Sequence, residues 1–314
     1  MKYSNLKGSL ILILAALIWG LAFVAQSGAA EFVPPFTFNA LRSFIGAGTL
    51  YIFYLITKAK YKTPFFPPER AERKSYYTAA LVCGICLAVS INFQQFGIAA
   101  YPQGVATEAR SGFITALYVI LVPVFSLFAG KKTGIAVWAG VFIAIAGVYL
   151  LCFSEGIGAI YLGDILVFLC AISFTLHIMS VDKYVFITGG VKLSIMQFTV
   201  CGIISTVLAV VFELKSIEIS NILQAAPQIL YLGIMSSGVA YTLQIIGQKY
   251  AEPAIASISM SLESVFAALG GWIISGNALS QKELLGCSLV FIAIIAAQLP
   301  QFKIKKFKHN GGSC

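Results

Sequence analysis

Glu263 stands in an otherwise apolar stretch, ten residues after Pro253. In a helix beginning at that proline, a rise of about 1.5 Å per residue carries the carboxyl roughly halfway through a hydrocarbon layer about 30 Å thick. A charged group there costs about 2.5–3.5 kcal/mol on insertion, so it must be neutralised, paired or hydrated. It suits binding a substrate cation or carrying a coupling proton; a structural bond that locks its helix is the other reading. Ser259 is the only polar neighbour on its own face, so a partner must lie across a helix interface or in a cavity. His177 and Arg42 are the candidates within the chain.

Arg42 lies seven residues after Pro35, with Asn39 three positions earlier on the same face. A guanidinium there can grip a carboxylate or phosphate bidentately, or pair with an acid on a neighbouring helix. His177, five residues before Asp182, has a side chain that ordinarily titrates near neutral pH. It fits substrate binding, proton coupling or a satisfied structural role. Gln95 shares a face with Asn92, while Gln197 and Gln244 are further amides in apolar runs, needing either another helix or a substrate. Trp19, Tyr118, Phe174 and Tyr241 are aromatic candidates for a cavity wall, with core packing as the alternative. Glu108 and Arg110 face different directions within two turns of one membrane surface, where snorkelling is cheap; they are candidates for an outer gate or cavity mouth.

The elements that must position these groups follow from composition. The chain is 59% hydrophobic and 11% charged, with mean hydropathy +0.90, against roughly 25% charged residues in soluble domains. Gly8–Ala30, Thr133–Ser154 and Leu193–Phe212 hold no charge at all. In lipid only helices and closed barrels satisfy the backbone, and these runs lack the alternation of barrel strands. Ten spans are expected, at 8–28, 35–57, 76–98, 104–128, 133–153, 163–181, 192–213, 225–248, 253–275 and 281–300. Tyr101-Pro102 and Ala251-Glu252-Pro253 punctuate the longest apolar tracts. Lys2 and Lys7 before the first run resemble a signal peptide, but the run is longer than an ordinary signal core, and a retained helix is expected.

The net charge of +9 does not point to nucleic acid. Of the basic residues, Lys215 and Lys282 fall on one face of the alternating assignment, Arg42 and Arg110 lie inside spans, and all others fall on the opposite face. The positive-inside rule makes that face, with both termini, cytoplasmic. Six of the seven cysteines sit in apolar helices; Cys83-x-x-Cys86 lacks a second ligand pair and reads as small packing residues. No phosphate loop, His-Glu-x-x-His or Gly-x-Ser-x-Gly motif is present. No cofactor, metal or ATP-driven pumping is expected.

The chain reads as written twice. Trp19 meets Phe174 at an offset of 155 residues (174 − 19), and at that offset Arg42 meets Gln197. Phe93-Gln94-Gln95-Phe96-Gly97 is similar to Leu243-Gln244-Ile245-Ile246-Gly247 at 150, and Gly140 meets Gly286 at 146. Five helices per copy is an odd number, so the second copy enters the membrane from the opposite side, as in transporters with inverted repeats.

Ala16-Leu17-Ile18-Trp19-Gly20, Phe38-Asn39-Ala40-Leu41-Arg42, Gly112 through Pro123, Ser261-Leu262-Glu263-Ser264-Val265-Phe266 and Ala278-Leu279-Ser280 before Gly286 carry a resemblance. Over residues 8–300 the chain resembles the drug/metabolite transporter superfamily, specifically its EamA-type ten-helix members. It departs where the family often has proline, at Ser264. It also departs from a Gly-Glu pair at Gly276-Asn277 and at Lys131-Lys132. The resemblance implies a basket of helices around a central cavity that exports or exchanges amino acids, nucleotide-related compounds or other metabolites, and it does not choose among them.

The expectation is an all-α integral membrane protein of ten transmembrane helices, arranged as two inverted five-helix repeats around a central cavity. Residues 1–154 form the first repeat, 155–302 the second, and 303–314 a basic cytoplasmic tail. Its partners are a small-molecule substrate, protons where the carrier is proton-coupled rather than facilitative, and the lipid bilayer of the plasma (inner) membrane; the oligomeric state stays open. An intramembrane enzyme on a lipid or isoprenoid substrate, with Glu263 and His177 as acid and base, and a non-transporting receptor are the rival readings.

Overall fold

A computed structural model describes residues 5–61, 64–67, 69–102, 105, 107–131, 133–152, 160–275 and 280–310. The expected boundary at Glu155–Leu162 lies largely outside the described residues. So do Lys132, Gly276-Asn277, Ala278-Leu279 and the last four residues of the basic tail.

Every regular element among the described residues is helical. In order these are α1 (Asn5–Ala30), α2 (Pro35–Tyr61), α3 (Arg70–Ala99), α4 (Thr107–Ala116), α5 (Tyr118–Phe128), α6 (Ile135–Cys152), α7 (Leu162–Thr188) and α8 (Gly190–Phe212). After the short α9 (Ile219–Gln224) come α10 (Ala226–Tyr231), a π-helical segment Leu232–Ala240, α11 (Tyr241–Gln248), α12 (Pro253–Met260), α13 (Leu262–Ser275) and α14 (Gln281–Asn310).

Eight helical stretches among the described residues are long and apolar enough to cross a membrane, counting α4–α5, α10–α11 and α12–α13 as one each. Two shorter apolar stretches, Ile135–Leu150 and Leu284–Ala297, coincide with the expected spans at 133–153 and 281–300. The proline steps act as the sequence suggests: α3 stops at Ala99, α11 at Gln248, and α12 starts on Pro253.

The helices bury what soluble helices expose. On α1, Gly8, Ser9, Ala15, Ala16, Gly20 and Gln26 are buried, while Leu6, Leu10, Leu14 and Leu17 are exposed. Large apolar side chains outward and small or polar ones inward is the arrangement for a lipid solvent, where close packing of small residues replaces hydrophobic burial as the contact force. Glycines mark the crossings. A Cβ on Gly8 would lie 2.8 Å from Gly247 O and 2.6 Å from Ala251 Cβ, and one on Gly247 would lie 2.6 Å from Leu12 Cγ. Likewise a Cβ on Gly163 would lie 2.8 Å from Gly97 O and from Tyr101 Cε1, and one on Gly97 2.5 Å from Val167 Cγ2. On α3, Gly84 approaches Val200 and Gln197 O; in the π segment, Gly233 approaches Ile45 and Arg42 O. α6 and α14 meet at Gly147 against Gly286 O and at Gly140 against Ala293 O.

Polar pins add direction. Glu213, ending α8, accepts from the backbone N–H of Phe36 and Thr37 and from the Thr37 hydroxyl (2.7–2.9 Å), placing a carboxylate at the positive end of α2. Asn39 donates to Asn92 and to Ile91 O, and Asn92 donates to Ser205, so α2, α3 and α8 are joined deep in the bundle.

Candidate functional site

Three departures from regular helix converge on one cavity. The α4–α5 crossing breaks at Leu117, whose N–H turns back to Ile114 O; Pro123, one turn and a half on, has no N–H to offer Val119 O. The α12–α13 crossing breaks at Ser261. No proline explains that break, but serines do: the hydroxyls of Ser257, Ser259 and Ser261 donate to Ala254 O, Ile255 O and Ile258 O, and such back-bonding bends helices. The third departure is the π segment, which carries Gly233, Ser236, Ser237 and Gly238. Broken and π-helical stretches in membrane bundles commonly mark binding sites.

The cavity measures about 30 Å³ and is lined by Trp19, Gln26, Arg42, Gln94, Thr115, Tyr118, Phe174, Ser236, Tyr241, Gln244, Met260 and Glu263, with Ala22, Phe23 and Ile178. That is room for about two waters, so a metabolite needs the helices to part.

Glu263 is 4% exposed and accepts a hydrogen bond from the Tyr118 hydroxyl at 2.9 Å. Neither His177 nor Arg42 is its hydrogen-bond partner in this structure, contrary to the sequence expectation. The neighbouring Ser264 hydroxyl donates to Gly112 O at 3.3 Å, a second tie between the same broken crossings and one that a proline there could not make.

Arg42 is 2% exposed. Its Nη1 donates to Gln26 Oε1 at 3.3 Å, its guanidinium stands 5.6 Å from the Phe38 ring centroid, and its Nε has no partner. Among the described residues no carboxylate pairs with it. The cavity wall holds further unmatched groups, Trp19 Nε1 and Gln244 Oε1. Tyr241 is the centre of an aromatic cluster: Trp19 meets it edge-on at 4.8 Å, Phe198 edge-on at 5.2 Å, and Phe174 stacks at 6.3 Å.

His177, Gln197 and Gln95 lie one layer behind the cavity wall. His177 Nε2 donates to Gln197 Oε1 at 3.0 Å, and its ring stands 6.1 Å from that of Tyr241. Gln95 donates to Gln26 O at 3.2 Å; it is its neighbour Gln94 that reaches the cavity. Gln26, Thr115 and Ser236 also line the cavity, beyond the residues expected from the sequence. Gln26 had a signal, lying seven residues, two helical turns, after Trp19.

Glu108 and Arg110 part company as expected. Glu108 is half-buried, whereas Arg110 is buried and grips Asp164 with Nε at 2.5 Å and Nη2 at 2.7 Å. The Tyr101 hydroxyl donates to the same carboxylate at 2.9 Å. The Arg110 guanidinium stands 4.9 Å from the Tyr161 ring, and Asp164 accepts from Tyr161 N. Burial first, and Asp164 next, push the Tyr101 phenol above its ordinary range, so it remains a donor at neutral pH. At the other end of α7, Asp182 pairs with Lys131 at 2.5 Å.

A lipid-adapted all-helical fold, a small cavity at helix breaks, and a buried guanidinium without a carboxylate among the described residues point to a multi-pass membrane transporter. The EamA-like transporter family profile matches residues 6–153 and 161–297, and the chain belongs to that family, which makes it a transporter rather than an enzyme. It is 29% identical over 94% of its length, and 87% of the relative's, to an uncharacterized transporter of Archaeoglobus fulgidus. It is 22% identical to the uncharacterized transporter YoaV of Bacillus subtilis over 92% of this chain and 95% of that one. It is also 23% identical to the uncharacterized inner membrane transporter YedA of Escherichia coli K12 over 91% and 89%. A solved crystal structure superposes with a TM-score of 0.73 at 20% identity, covering 96% of this chain and 99% of that one, a likeness of fold.

Proposed function

We propose that the protein is a secondary transporter of a small zwitterionic metabolite of amino-acid type, working by alternating access between two inverted five-helix repeats. The observation that carries this reading is that Arg42 and Glu263, not bonded to each other, line one cavity. A buried guanidinium without a carboxylate is costly, and a substrate carboxylate reaching it relieves that cost. Glu263, with no cation paired to it among the described residues, is available to the substrate's ammonium or to a coupled proton. Substrate loss during export or exchange then amounts to letting both charged ends back into water.

The ten-crossing inverted architecture is supported by how the contacts exchange. At an offset of 155, Gly8, Leu12, Arg42 and Ile45 become Gly163, Val167, Gln197 and Val200. At 149–150, Gly84, Gly97 and Tyr101 become Gly233, Gly247 and Ala251. Each close approach described above turns into its counterpart under that exchange. Gly140 and Gly147 likewise exchange with Gly286 and Ala293 at 146, so α6 and α14 pair across the axis. α3 and α7 run antiparallel, since Gly97 near the end of α3 meets Gly163 near the start of α7, while Tyr76 and Cys83 cluster with Tyr184 and Val185. With α1 to α3 alternating, α1 and α7 enter from opposite sides. The matched family blocks part between 153 and 161, in line with repeats at 1–154 and 155–302 followed by a basic tail. The basic loops argue for cytoplasmic termini, and the relative YedA, named as an inner membrane transporter, supports the same membrane here.

Counterflow of radiolabelled amino acids in proteoliposomes tests the substrate class: uptake of an amino acid with free amino and carboxyl groups, blocked by esterifying the carboxylate, is expected. Equal transport of ester and acid would remove Arg42 from the reading. For orientation, a cysteine at residue 71 labelled from outside intact cells, with none at residue 101, would reverse the topology.

A further inference from the structure

A second cavity shares no lining residue with the first. It is a cleft of about 660 Å³ among α2, α3 and α8. Phe44, Tyr51 and Tyr77 on its rim are 45, 48 and 53% exposed, so it opens on the outer surface of crossing helices, where the solvent is lipid. Along α2 the lining runs Phe44, Ala47, Gly48, Tyr51, Tyr54, Leu55 and ends at Lys58.

Gly48 is the unusual member. A glycine inside a helix weakens it relative to alanine, and the neighbouring Gly46 has a packing reason, since a Cβ there would lie 2.7 Å from Ser237 Cβ. A Cβ on Gly48 would meet nothing within 4 Å. No protein atom requires its smallness; what it does is keep the cleft floor open. The lining ends in aromatic rings beside Lys58. Phe65 packs edge-on against Tyr54 at 5.1 Å and Phe66 against Phe65 at 4.8 Å. Residues 58–74 hold Lys58, Lys60, Lys62, Arg70, Arg73 and Lys74 against Glu69 and Glu72. Aromatic rings at headgroup level beside a basic segment are the arrangement that recognises anionic lipid.

We propose that this cleft binds one anionic phospholipid, an acyl chain lying over Gly48 and Ala47 with the headgroup phosphate against Lys58. This stands apart from the transport reading and survives its failure. The test uses the purified full chain carrying Tyr51→Trp as a rim reporter, its signal read as the difference from the unmodified chain with its three tryptophans, titrated with dibrominated phosphatidylglycerol or phosphatidylcholine of identical chains. Phosphatidylglycerol is expected to reach half-quenching at about fivefold lower mole fraction. Lys58→Gln should erase that preference, and Gly48→Leu should weaken quenching by both lipids. Equal quenching by the two lipids, or full quenching in Gly48→Leu, overturns the proposal. Native mass spectrometry of the unmodified protein gives a reading independent of any variant: one phosphatidylglycerol retained over phosphatidylcholine supports the site, whereas no preference, or a dimer closing the cleft, overturns it.

Discussion

The Tyr118 hydroxyl donates to Glu263 Oε1 at 2.9 Å, joining the residue just past the break in one crossing to the residue two past the break in another. The bond links two residues of the cavity wall that are 145 positions apart in the chain. Glu263→Gln keeps an acceptor for Tyr118, so thermal stability in detergent should change by no more than about 1 kcal/mol. Transport should fall at least tenfold, because the amide neither pairs with an ammonium nor carries a proton. Tyr118→Phe should leave transport measurable while loosening the closed state. Wild-type transport by Glu263→Gln would take the carboxyl out of the mechanism.

Arg42 invites the opposite stability result from an ordinary buried charge. Breaking a buried ion pair costs roughly 3–5 kcal/mol, but Arg42 has no carboxylate among the described residues to abandon. Arg42→Gln should therefore purify with an unchanged or raised melting temperature while transport is lost. Arg42→Lys should recover little, since a single ammonium cannot replace a bidentate fork. A large drop in stability for Arg42→Gln would mean a structural role.

How far the site was legible depends on what kind of signal each residue gives. Arg42 and Glu263 stand out because a charge in an uncharged run is rare and costly, and both line the cavity. The Trp19–Phe174 offset was legible from spacing, and both rings lie against Tyr241. The Glu263 partner was not, because Tyr118 is 145 residues away and only the assembled bundle brings the two breaks together. Gln94 and Gln95 show a finer limit: adjacent residues point about 100° apart on a helix, and only the helix's rotation decides which amide reaches the cavity. Asp164 was passed over because an acid in the first turn of a helix needs no explanation beyond capping; its grip on Arg110 is tertiary. The breaks themselves were hidden, since serine back-bonding at Ser257 to Ser261 is a choice among several that serine can make.

The Arg110–Asp164 pair joins α4 to α7, with Arg110 five residues before Thr115 of the cavity wall, and Tyr101 and Tyr161 contact it. If this cluster holds the outer side shut, removing it should expose the cavity. Arg110→Ala should raise the rate at which an outside thiol reagent labels Thr115→Cys severalfold. Melting temperatures of Arg110→Ala, Asp164→Ala and the double variant should give a coupling energy of about 0.5–3 kcal/mol. Additive effects together with unchanged labelling would leave the pair without a gating role.

The exchange of contacts between halves makes a paired prediction about two glycines far apart in sequence. A Cβ on Gly97 would lie 2.5 Å from Val167 Cγ2 and 3.0 Å from Gly163 O, and one on Gly247 2.6 Å from Leu12 Cγ and 3.2 Å from Gly8 O. Each added methyl meets a branched side chain that can shift and a backbone carbonyl that cannot, so both alanine variants are overpacked, at a cost of about 1–3 kcal/mol. Trimming the side-chain half of each clash should recover part of the loss: Gly97→Ala with Val167→Ala, and Gly247→Ala with Leu12→Ala. The crossed combinations, Gly97→Ala with Leu12→Ala and Gly247→Ala with Val167→Ala, should show no recovery, because those residues belong to different crossings. Gly48→Ala, whose new methyl meets no atom within 4 Å, should be neutral or stabilising by up to about 1 kcal/mol. Comparable losses at Gly97 and Gly247 with recovery confined to the matched partners is the outcome two equivalent crossings require; a large loss at one and none at the other would break the equivalence of the halves.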